Sequence, residues 1–237
     1  MSKLLLRLFV TCSLALACAL PLSAQIATPS AGQEENLSPE EFTNIIKEAW
    51  TFLKDETETF LKATESKTEF ETTEEFQKRI ADLRRAYLAK TAKFSEDKKY
   101  GQREFGILFK AKLISYDADR RVYRLTSPTA VEIPYDIPWL DVSLDSNPLV
   151  ALADSIARGY RSTSMHLKMN PPLRYEAPIE LAKTVKTGEE QLYFRVRLTM
   201  NMVQDEKFTN MAKLTFTTYH IELFNKESKT VYWEENL

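Results

Sequence analysis

The stretch LYFRVRLTMNMV, residues 192–203, alternates without a break. Leu192, Phe194, Val196, Leu198, Met200 and Met202 fall on one face of an extended chain, and Tyr193, Arg195, Arg197, Thr199 and Asn201 on the other. Side chains of a strand point alternately to opposite faces, so this is a half-buried strand with its greasy side toward a core. Such a strand needs neighbours, and the flanking sequence offers them. KLTFTTYHIELF, residues 213–224, follows, with its apolar phase slipping from Leu214 and Phe216 to Tyr219, Ile221 and Leu223. That slip predicts a bulge near Thr217 and Thr218. YEAPIELAK, residues 175–183, reads as a neighbour before it, and TVYWEE, residues 230–235, closes the set through the turn NKESK.

Period two begins at Glu104. Phe105, Ile107, Phe109, Ala111 and Leu113 alternate with residues that include Lys110 and Lys112, DADRR turns the chain at 117–121, and VYRLT returns it as a hairpin. AVEIPY, residues 130–135, is a third short strand that ends in a Pro-rich loop around Trp139. Asn147 as cap, Pro148, the stripe Leu149, Leu152, Ala153, Ile156 and then Gly159 predict one short inserted helix.

Upstream of Glu104 the period is helical. In LSPEEFTNIIKEAW, residues 37–50, Ser38 can cap a helix, Pro39 suits its first position and Glu41 stands three residues after the cap. Phe42, Ile45, Ile46, Ala49, Leu53 and Phe60 continue the stripe, so a first helix is predicted over 39–62. FETTEEFQKRIADL, residues 70–83, repeats the grammar: Thr72 precedes Glu75 by three, and Phe76, Ile80, Leu83 and Tyr87 follow on one face. Its carboxylates invite a catalytic reading, but helix initiation accounts for them, with Arg79 one turn after Glu75 for an ion pair. Residues 34–75 carry thirteen acids against four bases and residues 76–124 fourteen bases against six acids. Two helices of opposite charge joined by a short connection predict an antiparallel hairpin. The fold class is α+β: a helical hairpin over 37–100, then a mostly antiparallel sheet domain over 101–237 with one short inserted helix.

The segment Lys67 to Arg79, KTEFETTEEFQKR, resembles a K-x-E-F-E-T-x-x-E-F-x-x-R segment of uncharacterised bacterial exported proteins. The resemblance implies a bacterial envelope location and no activity or site. The N-terminus agrees: Lys3 and Arg7 precede an apolar run that ends in Leu22, Ser23 and Ala24, the layout of a signal peptide over 1–24. Residues 25–36, polar with Pro and Gly, read as a flexible linker. Both cysteines, Cys12 and Cys18, lie in the signal segment, so the exported chain of about 210 residues has no thiol for a disulfide, nucleophile or thiolate site. The sequence before Cys18 resembles a loose lipobox, which makes Cys18 a candidate acylation site and the product a lipoprotein. Localisation is thus periplasmic or secreted, with membrane attachment only through that anchor.

The residue inventory excludes several chemistries. Five glycines form no phosphate loop or dinucleotide fingerprint, and no Gly-x-Ser-x-Gly elbow occurs. A net charge of −2 gives no basic field suited to nucleic acid, and no cofactor motif is present. The two histidines leave little material for zinc or general-base work. His220 and Glu222 share a strand face, an arrangement that any H-x-E in a strand satisfies. Met165, His166 and Met169 are candidate soft ligands for Cu(I), with Met200 and Met202 further thioethers that equally fill a core. Asp136, Asp141 and Asp145 around Trp139 are candidate carboxylates for a glycan hydrolase, or ordinary turn residues. The reading that remains is a non-enzymatic cell-envelope protein that binds a protein or cell-wall partner. Trp139, Tyr193, Arg195 and Arg197 are its candidate contact residues, since aromatic and Arg side chains dominate interfaces, and a solvated sheet face is the plainer reading of each.

Overall fold

The computed structural model of the protein describes residues 33–135, 142–144, 148–157, 160–204 and 211–237. In chain order the elements are β1 (Gln33–Leu37), α1 (Pro39–Thr64), α2 (Thr73–Asp97), β2 (Glu104–Lys110), β3 (Lys112–Asp117), β4 (Val122–Thr126), β5 (Ala130–Tyr135), β6 (Val142–Leu144), β7 (Val150–Ala157), β8 (Tyr160–Leu167), β9 (Leu173–Glu176), α3 (Ile179–Thr187), β10 (Leu192–Gln204), β11 (Ala212–Asn225) and β12 (Val231–Asn236). The class is α+β, as the hydropathy periods predict.

The alternating stretch is β10, and all six of its apolar residues are buried. It lies inside the main sheet, in the order β1-β2-β10-β11-β12, with β6 also pairing with β11. β2 and β11 run antiparallel to it. The anticipated bulge is present: Arg197 pairs with His220 and Leu198 with Thr218, so Tyr219 is the extra residue. The bulge lets Phe216 and Ile221 share one face although an even number of residues, four, separates them. On that face Phe42 of α1 packs its ring 5.6 Å from Phe105 and 6.0 Å from Phe216. Helix and sheet thereby share one continuous core.

The hairpin forms as its caps predict. Ser38 with Glu41 and Thr72 with Glu75 both complete reciprocal capping boxes. Its seam is aromatic: Phe52 stacks on Phe94 at 3.8 Å, Phe60 lies 5.4 Å from Tyr87, and the Thr57 and Tyr87 hydroxyls are 2.9 Å apart. Opposite charges meet across the hairpin at Lys90–Glu56 and Lys98–Glu48. The exposed ion pairs add little, and the buried rings hold the helices together.

Arg79 departs from the expected pairing with Glu75. Its guanidinium instead donates Nε and Nη2 to the two Glu71 carboxylate oxygens at 2.8 and 2.9 Å, and to the Ala63 and Ser66 carbonyls at the end of α1. Glu75 is already committed to the amide and hydroxyl of Thr72. The orphan carbonyls of a helix end need donors, and Arg79 supplies them from the next helix.

Four further expectations are corrected. Residues 33–36, read as linker, belong to β1, which pairs parallel with the edge of β2; an edge strand can be polar on its outer side, so composition does not reveal it. The linker residues 25–32 and the signal segment lie outside the described residues. The predicted helix over 147–159 is replaced by β7, antiparallel to β8. β8, unassigned by periodicity, sits between β5 and β7 and draws 150–157 into the ladder, where Leu152 pairs with Met165 and Val150 with Leu167. The inserted helix occurs instead at α3: YEAPIELAK is a strand only through Glu176, and Pro178 then opens a helix that buries Ala182 and Val185 and ends at Gly188. The stretch from Glu104 to Leu113 divides at Ala111, whose amide donates to the Leu192 carbonyl at 3.0 Å. β2 thus joins the main sheet, while β3 pairs with β4 and β4 with β9 in a second sheet.

The Glu71 carboxyl is held at about 2, well below its ordinary 4.5, chiefly by the Arg79 hydrogen bonds. A depressed carboxylate contributes stability above its unfolded value and loses it as pH falls through the folded one. Urea unfolding of the wild type and Glu71→Gln should therefore differ above about pH 4.5 and converge as pH falls to about 2. A gap independent of pH would contradict this role.

Candidate functional site

Among the described residues, an apolar-lined concavity lies beneath α3. Tyr116 and Tyr123 flank the 117–121 turn and pair across β3 and β4, and Tyr175 of β9 pairs with Tyr123 on its other side. The three rings form a row on the face of this sheet that α3 covers. Each of the first two is pinned by its hydroxyl: Tyr116 donates to the Ala177 carbonyl at 2.8 Å and Tyr123 to the Ala182 carbonyl at 2.9 Å. Their centroids are 4.8 Å apart. Burial pushes the Tyr123 and Tyr175 hydroxyls up, so both stay neutral at physiological pH.

The floor made by Tyr116 and Tyr123, with Ile179, Ala182 and Thr187 as one wall, borders an open cleft of about 470 Å³. That is within the range of pockets that hold small ligands or single side chains of a partner. Ile179 is 44% exposed, an apolar rim residue that α3 does not bury. Lys183 and Lys186 stand at the mouth, each joined to a carboxylate three residues away, Glu180 and Glu189 respectively. Burial pushes the Glu189 carboxyl up, but hydrogen bonds from Lys186 and from the Leu113 amide outweigh it and leave it below its ordinary value. Glu189 thereby fastens the end of α3 to β3. The cleft has aromatic and aliphatic surface with a charged lip, the makeup of a binding site rather than of an acid–base pair.

The outward face of β10 behaves differently from expectation. The Arg195 side chain is only 11% exposed: it forms an ion pair with Glu222, donates to Asn36 Oδ1 at 3.1 Å and lies 4.6 Å from the Phe224 ring centroid. Arg197 reaches the same Glu222 oxygen at 3.8 Å. Tyr193 has the Lys110 and Lys226 ammonium groups 4.7 and 5.7 Å from its ring. Arg195 is thus an internal strut that ties β1, β10 and β11 together, while Tyr193 and Arg197 remain partly accessible. Trp139, Asp136, Asp141, Asp145 and Cys18 lie outside the described residues.

Among the described residues, His220, Glu222 and Glu234 bring ligand atoms within 4.8 Å of one another. Glu222 already neutralises two guanidinium groups, His220 Nδ1 lies 3.1 Å from Asn236 Oδ1, and His220 Nε2 lies 3.7 Å from Glu234. A dication there would face both arginines at close range, so the arrangement is better suited to fastening β12 onto β11. Of the candidate thioether site, Met165 and His166 fall on opposite sides of β8, with Met165 fully buried. Met200 lies in the core stripe of β10, in a different sheet from Met165, and Met169 is partly buried against the same core.

The cleft is not legible from the strand expectation over 175–183, because it is α3 that forms its wall. The signal was present: Gly188 follows Lys186 at a helix end, and Ile179, Ala182 and Val185 recur every three residues.

Removing one member of a buried charge group leaves its partner uncompensated. Glu222→Gln should cost about 3–5 kcal/mol of unfolding free energy in urea, whereas Glu234→Gln, at the exposed end of the cluster, should stay within about 0.5 kcal/mol. Equal effects would contradict the assignment of Glu222 as the buried anchor.

Comparison of the chain with family models, curated proteins and solved structures finds no match.

Proposed function

We infer that the chain is an exported, non-catalytic binding protein of a bacterial envelope, and that the cleft beneath α3 is its ligand surface. The observation that carries this reading is the pinned pair Tyr116 and Tyr123 under the exposed Ile179 rim. Rings fixed by hydrogen bonds to backbone lose little freedom on binding, so their contact area converts efficiently into affinity. The signal-peptide layout of the first 24 residues supports export. No helix among the described residues is long and apolar enough to cross a membrane. The partner class is an envelope protein or a cell-wall component that presents an apolar group to the cleft.

The test uses the full chain, tagged at its C-terminus and produced in a bacterial host. A mature N-terminus at Gln25, or an acylated Cys18, is expected by mass measurement, and a retained Met1 contradicts export. Native envelope extract passed over wild type and Ile179→Asp should lose a specific bound component from the variant by about tenfold. Equal retention by both would remove the cleft from the account.

A further inference from the structure

The loop between α1 and α2 carries Phe70 with 91% of its surface exposed, far more than any other large apolar residue among the described ones. Its surroundings are the opposite of loose. Arg79 grips both Glu71 oxygens and the Ala63 and Ser66 carbonyls; Glu71 Oε2 accepts from the Thr68 amide at 3.2 Å, and the Glu71 amide donates back to the Thr68 carbonyl at 3.2 Å. Thr72 and Glu75 then cap α2. Four polar members of the segment singled out in the sequence, Glu71, Thr72, Glu75 and Arg79, are consumed in building this loop. Phe76 lies beneath the Arg79 guanidinium at 5.1 Å. Phe70 is left over, held at a fixed place by a network to which its ring contributes nothing.

The position adds to the case. None of residues 73–86 is fully buried, so the tip of the hairpin stands clear of the sheet. An aromatic displayed on a preorganised, projecting loop is the form of an interface anchor: the backbone ordering cost is already met by folding, and burying the ring is the gain. Electrostatics select the kind of partner. Glu65, Glu69, Glu74 and Glu75 flank Phe70 in the chain and are exposed, with Lys67, also exposed, the single base between Glu65 and Glu75. That acidic stretch is repelled by an anionic bilayer and matched by a surface rich in Lys and Arg.

We propose that Phe70 is a docking anchor by which the hairpin tip inserts into an apolar pocket, rimmed by basic side chains, on a protein partner. This contact is separate from the cleft beneath α3 and stands whether or not that cleft binds a ligand.

The test places the photo-crosslinking residue p-benzoylphenylalanine at position 70 of the full chain in its native cells, with the same residue at exposed Ile114 as background. A discrete protein adduct specific to position 70 is expected. That protein, purified, is titrated with wild type, Phe70→Ala, Ile179→Asp and the charge reversal Glu69→Lys with Glu74→Lys. Phe70→Ala and the charge reversal should each weaken binding by about tenfold, added salt should weaken the wild type, and Ile179→Asp should bind as wild type. Phe70 is so exposed that its replacement leaves the fold intact, which far-UV circular dichroism checks. Adducts only to lipid or to a second copy of the chain, no discrete adduct, affinity unchanged by Phe70→Ala, or flotation of the wild type but not Phe70→Ala with phosphatidylglycerol vesicles would each overturn the proposal.

Discussion

The burial of the apolar stripe on β10 against α1 is the constraint from which the rest of the molecule follows. Leu192, Phe194, Val196, Leu198, Met200 and Met202 are all buried, and each contributes about 1.5–3 kcal/mol of transfer free energy before entropy is counted. Phe42 reaches from α1 to rings on β2 and β11, so one helix spans three adjacent strands. The hairpin is therefore the lid of the sheet's core, and its second helix is positioned both by the aromatic seam and by Tyr87, whose hydroxyl accepts from the Ala212 amide of β11 at 3.0 Å. Thr43 extends the same helix to the third sheet, donating to the Glu132 carbonyl of β5 at 2.8 Å.

The opposite face of β10 converts that packing into register. Sliding the strand by one residue would carry Arg195 and Arg197 into the core and expose Phe194 and Val196. Glu222 holds both arginines from β11, and Asn36 holds Arg195 from β1. The bulge at Tyr219 reconciles the two demands, keeping Ile221 and Leu223 in the core while Glu222 faces the arginines. Charged residues on a sheet face are thus spent on structure here, and surface left over for recognition is displaced to the periphery, beneath α3 and at the hairpin tip.

What the sequence made legible follows physical lines. Elements governed by local rules were readable: two capping boxes, a strict alternation and a phase slip each name their own geometry. Elements governed by a distant partner were not. Residues 150–157 have a helical stripe but become β7 because β8 presents an edge to them, and β1 is polar yet pairs because β2 ends the sheet there. Arg79 shows the same limit at one side chain, since Glu75 was nearer in sequence but already engaged by Thr72. The cleft was hidden because it needs α3, β3 and β4 at once. Phe70 sits in a segment whose polar residues follow helix-cap grammar, and only the folded loop shows its ring to be unused.

The hairpin and the sheet are one cooperative body in this account, joined through the β10 stripe. Native-state hydrogen exchange on the full chain tests that most directly, by comparing the amides of Ile46, Ala49 and Leu53 in α1 with those of Val196 and Leu198 in β10. The account predicts that both sets open with the same free energy and the same dependence on denaturant, that of global unfolding. Exchange of the α1 set at a distinctly lower free energy, with β10 still protected, would contradict it and make the hairpin an independent appendage.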